Sequence, residues 1–102
     1  MEIVYLGERI DAPTAAALGL VARVVPDDAL LGCAGDIARR LATGPTAAFG
    51  AAKRVMHRGI HLCLDEALAL EGAVQDVVAA TEDAHEGVAA FLAKRPPKFQ
   101  GR

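Results

Sequence analysis

Residues 81–102 read TEDAHEGVAAFLAKRPPKFQGR, and this stretch decides how the chain is organised. Thr81 is placed to cap a helix. Glu82 and Asp83 follow in its first turn, where negative charge meets the positive end of the helix dipole. Ala84, Val88, Phe91 and Leu92 recur at helical spacing and predict its buried side. Lys94 and Arg95 fall at its C-terminus, where cations are favoured, and Pro96–Pro97 forbid continuation. A basic tail carrying Phe99 comes next. A solvated end needs no such ring, so the tail is expected to finish a surface.

Working back from that helix, the chain reads as mostly α. A long helix over 62–80 carries Leu62, Leu64, Leu68, Leu70, Val74, Val77 and Val78 on more than one face, which predicts two packing partners. Pro45 opens a helix to about Arg58, with a stripe of Ala48, Phe49, Ala52, Val55 and Met56. Asp27 or Asp28 caps a helix over about 28–43, whose face is Leu30, Ala34, Ile37 and Leu41. Further upstream, Asp11 is an N-cap, Pro13 sits in a first turn and Gly19 stops a short helix. LVARVVP (20–26) has the β-branched content of one short strand, ended by Pro26. One strand makes no sheet alone, so a pairing partner is expected elsewhere. Residues 1–6, MEIVYL, read as the tail of a helix stopped at Gly7. Apolar residues at a free end are unusual, and they raise the expectation that further chain precedes them.

Composition narrows the function classes. The chain has 102 residues, 53% of them hydrophobic but only 4% aromatic, so its core is built of small side chains. A formal net charge of −2 argues against nucleic-acid binding, and Arg39–Arg40 with Lys53–Arg54 are too little for a helix-turn-helix reader. Cys33 and Cys63 lie thirty positions apart without a CxxC or a histidine pair, so no metal site is read here. Both are expected to be buried free thiols in a reducing cytoplasm. No secretory signal or membrane-spanning run is present in these residues.

Reaction chemistry is sparse. Asp65 and Glu66 are adjacent on a helix and point apart. Glu82 and Asp83 read as first-turn dipole partners. Glu71 lies between apolar faces. His57, His61 and His85 have no nucleophile at a convincing spacing. No catalytic residue is assigned.

Three ordered stretches carry a resemblance. They are LGERIDAPTAAALGLVARVVPDDAL (6–30), LATGPTAAFGAAKR (41–54) and a spaced set running from Glu71 and Gln75 through Glu82, Asp83, Glu86, Gly87, Phe91, Lys94, Arg95, Pro96 and Phe99 to Gly101. Together they resemble the C-terminal part of the crotonase superfamily, the enoyl-CoA hydratases and isomerases. The resemblance implies a helical C-terminal region of a crotonase-like ββα spiral with one short strand. It divides the chain into 1–26, the end of the family's core, and 27–102, a helical lid and oligomerisation region.

The function implied is handling of acyl-CoA thioesters, as in fatty acid β-oxidation, by a lyase or isomerase. Family members hold the thioester oxygen with two backbone N–H donors and move protons with carboxylates. Both devices belong to an earlier part of a family chain, so this chain alone is expected to be inactive. The resemblance carries a coenzyme-binding role to Phe91 and Lys94, the ring bordering adenine and the ammonium meeting a phosphate. It implies no cofactor beyond the coenzyme A that carries the substrate. Expected partners are further copies of the chain, as trimer or hexamer, or a separately encoded N-terminal part, with no nucleic acid and no membrane. The alternative reading is a non-enzymatic helical interaction module, self-associating through MEIVYL and the two-faced long helix.

Overall fold

Helix signals in the sequence translate into seven helical elements in the computed structural model, which describes residues 2–102, the side chain of Glu2 excepted. Met1, expected in the first helix, lies outside them. The chain forms two compact units, residues 1–35 and 36–102.

In the first unit, α1 (Glu2–Leu6) ends at Gly7, whose φ of 64° lets its N–H turn back to the Ile3 carbonyl. The Asp11 carboxylate accepts the Thr14 N–H at 2.8 Å and starts α2 (Ala12–Ala17). Gly19, at φ 74°, closes that helix, and Leu20 donates back to the Ala15 carbonyl. Ile3, Leu6, Ile10 and Leu18 border a cavity of about 210 Å³.

The strand expected over 20–26 does not form. These residues run as bends and irregular chain, and no strand exists among the described residues. The β-branched residues have no neighbouring strand to complete a hydrogen-bond ladder, and local propensity alone does not hold one. Asp27–Ala29 form a 3-10 turn leading into α3 (Leu30–Ala42).

In the second unit, α4 (Thr46–Gly59) packs along α5 (Leu64–Ala79), and α6 (Glu82–Leu92) packs on α5. Ala48, Ala51 and Val55 of α4 face inward, with Ala67, Leu70, Val74 and Val78 of α5 half-buried at helical spacing. The second apolar face expected on α5 exists and is open to solvent, at Leu64, Leu68 and Val77. Cys63 caps α5 from the outside, its N–H donating to the Glu66 carboxylate at 3.1 Å. Glu66 therefore has a structural use.

Two further expectations fail. Cys63 is exposed, because a cap position lies outside the packed stripe, and Cys33 is half-buried; both are free thiols. The buried side of α6 is not Ala84 with Val88, Phe91 and Leu92. Those last three are exposed, and the covered face carries Asp83, Ala84, Glu86, Gly87 and Ala90. Small side chains there leave room for the tail to lie against the helix. The core is thin: among the described residues, only Ala51 and Ala90 are buried apolar residues.

Candidate functional site

Both candidate binding residues stand at the C-terminal corner of α6. Phe91 is 82% exposed, its ring offered to solvent. Three residues on, the Lys94 N–H donates to the Phe91 carbonyl at 3.1 Å, and the Arg95 N–H reaches back to the Ala90 carbonyl at 3.0 Å. These two bonds close the helix in the manner of a Schellman turn, whose reversal residue is usually glycine. Here it is Lys94, at φ 49°, the only non-glycine residue with positive φ among those described. None of the three ion pairs among the described residues involves Lys94. Phe91 and Lys94 are thus both exposed at the end of this helix.

Immediately after this corner the tail folds back along α6. Arg95 places two N–H groups on the Glu86 carboxylate, at 2.6 and 2.8 Å, and the Lys98 backbone N–H adds a third at 2.7 Å. Those donors, Arg95 first and the Lys98 N–H second, hold the Glu86 carboxyl down at about 2, against an ordinary value of 4.5. The same pairing pushes the Arg95 guanidinium up.

Asp83, only 3% exposed, accepts the backbone N–H groups of Gln100 at 2.7 Å and Gly101 at 2.8 Å. Its own N–H donates to the Arg102 carbonyl at 2.9 Å, and the Arg102 side chain meets Glu82 at 3.0 Å. A cleft of about 410 Å³ lies along this seam. The Asp83 and Glu86 carboxylates in its walls are occupied by hydrogen bonds to the tail.

Sequence reasoning assigned Glu82 and Asp83 to the helix dipole and missed their grip on the tail. The available signal was charge complementarity: acids at 82 and 86 against bases at 95 and 102, across a proline turn. His85 donates from Nδ1 to the Thr81 carbonyl at 2.8 Å. Glu71 and Gln75 rim a cavity of about 380 Å³ otherwise walled by apolar residues of α4 and α5, including Phe49, Val55 and Met56. Among the described residues, no group of three or more His, Cys, Asp or Glu is arranged to hold a metal.

The family model for enoyl-CoA hydratase/isomerase matches residues 1–102. The 2,3-dehydroadipyl-CoA hydratase of Escherichia coli is 41% identical over 99% of this chain and 40% of its own length. The 1,2-epoxyphenylacetyl-CoA isomerase of the same organism is 38% identical over 100% of this chain and 39% of its own. The crystal structure of an enoyl-CoA hydratase from Bacillus anthracis superposes with a TM-score of 0.92 at 37% identity, covering 99% of this chain and 39% of that one. The chain thus spans about 40% of the length of the curated relatives it matches.

Proposed function

The chain belongs to the enoyl-CoA hydratase/isomerase family, and from that premise we propose that it is the C-terminal helical portion of an enzyme acting on acyl-CoA thioesters. The observation that carries this reading is the family-model match along residues 1–102, together with relatives more than twice as long that match 99–100% of the chain. A hydratase and an isomerase match with nearly equal identity, so the reaction class stays at acyl-CoA chemistry of the β-oxidation type.

In this reading residues 1–26 end the core and 27–102 form the lid and subunit contact. Phe91 and Lys94 receive coenzyme A, and no other cofactor takes part. The exposed ring and the unusual backbone of Lys94 support the assignment, since a residue other than glycine at a left-handed position is tolerated most readily where its side chain is used. Calorimetric titration with coenzyme A tests it: the reading expects Lys94→Ala to weaken binding about tenfold, and equal affinity would overturn it.

The proposal includes inactivity of this chain by itself, because the oxyanion donors and proton-moving carboxylates of the family are not among its motifs. Purified chain is expected to leave the conjugated-thioester absorbance of a short 2-enoyl-CoA unchanged. Turnover above a heat-treated control would refute inactivity.

A second reading, a non-enzymatic helical interaction module, draws on the exposed Val88, Phe91 and Leu92 of α6 and the open face of α5. Either reading predicts association, with the chain itself or with a separate N-terminal part. Light scattering after size exclusion should give a mass that rises with concentration. We place the protein in the cytoplasm, where two free thiols stay reduced; among the described residues no helix is long and apolar enough to cross a membrane.

A further inference from the structure

The C-terminal segment is held by polar anchors out of proportion to its apolar contacts. Residues 95–102 bring one large apolar side chain to the structure, Phe99, half-buried against Gly87. Against that stand the three N–H groups on Glu86, the two on Asp83, the Asp83 N–H on the Arg102 carbonyl and the Arg102–Glu82 pair. All of these converge on one turn and a half of α6. Phe99 borders a cavity of about 220 Å³ whose other walls are apolar or small residues of α4, α5 and α6, with Thr81 and Asp83 at its edge.

We infer that residues 95–102 act as a latched strap, which opens and closes as one piece over this cavity and carries Phe99 with it as a plug. Asp83 is the latch. The hinge is Lys94, where the chain reverses at positive φ. Pro96 and Pro97 fix φ on two successive residues, so motion at the hinge is transmitted to Lys98–Arg102 rather than absorbed along the way. Little apolar surface resists opening, while the carboxylate bonds act together at one place. That combination gives local opening below the energy of global unfolding.

Cooperativity is the checkable content. Glu86 holds the Lys98 N–H, and Asp83 holds those of Gln100 and Gly101. If the segment moves as one, a change at Asp83 must release Lys98 as well. Asp83→Asn keeps the shape but offers one acceptor oxygen to two donors.

Amide hydrogen exchange by NMR on the full chain reads this directly. In the wild type, Lys98, Gln100 and Gly101 should share one protection factor, lower than that of the α4 and α5 interior. In Asp83→Asn all three should lose protection together, at least tenfold, with α4 and α5 unchanged. Gly101→Ala attacks from the other side without touching a carboxylate, since its β-carbon would stand 2.5 Å from Thr46 Oγ1 and its φ is 79°; it should give the same common loss. Loss confined to Gln100 and Gly101 in either variant would overturn the strap, as independent contacts would behave that way. Equal loss in α4 and α5 would overturn it too, making Asp83 a scaffold residue. So would wild-type amides at 98, 100 and 101 exchanging at unprotected rates. The latch is readable whether or not the chain binds coenzyme A.

Discussion

Gly87 faces the ring of Phe99 at a separation that suits a methyl group: a β-carbon built on Gly87 stands 3.6 Å from Phe99 Cε1, an ordinary van der Waals distance. Close approach therefore does not require glycine at this position. Glycine inside a helix is less favourable than alanine through its backbone freedom. Gly87→Ala is expected to stabilise the chain by about 0.5–1 kcal/mol, measured as a shift of the urea midpoint at constant slope.

Lys94 sets stability against binding. Relief of its left-handed backbone by Lys94→Gly should raise stability by about 1 kcal/mol. On the proposed coenzyme role, the same variant should bind coenzyme A more weakly. A stability gain with unchanged affinity would leave the turn as the residue's only role.

The Glu86 carboxyl supplies a pH window. Its folded value is depressed, so the contribution of its anion is whole above about pH 4.5 and is lost as pH falls towards 2. The charges that act on it are those of Arg95 and Lys98 from the tail. The Lys98 amide resonance should hold steady from neutral pH to about 4.5 and titrate with a midpoint near 2. A midpoint at the ordinary carboxylate value would contradict the pairing.

Thr81 joins two helices with one hydroxyl, which donates to the Val78 carbonyl at 2.7 Å and accepts the Ala84 N–H at 3.1 Å. Thr81→Ala should cost about 1 kcal/mol, with Thr81→Ser recovering most of it in thermal unfolding.

Local rules were readable wherever they act within one turn of chain. Asp11, Pro13, Gly19 and Thr81 announce their helix ends, and the structure uses each of them so. What depends on distant chain was not readable. A strand over 20–26 needs a pairing partner, and there is none among the described residues. The covered face of α6 was misread because Val88, Phe91 and Leu92 look like core, while its real occupants are small or acidic and gain meaning only from the tail. The bonds from Glu86 and Asp83 to the tail backbone bridge 12, 17 and 18 positions, beyond any helical period.

The scarcity of interior described for α4, α5 and α6 has a thermal counterpart. Heat capacity on unfolding rises with the nonpolar area newly wetted, and side chains already bathed in solvent add little to it. Scanning calorimetry on the chain should return less than the ~12 cal/mol/K per residue usual for globular proteins, with a correspondingly shallow denaturant slope. Pairing with a partner that covers Leu64, Val77 and Val88 would steepen both.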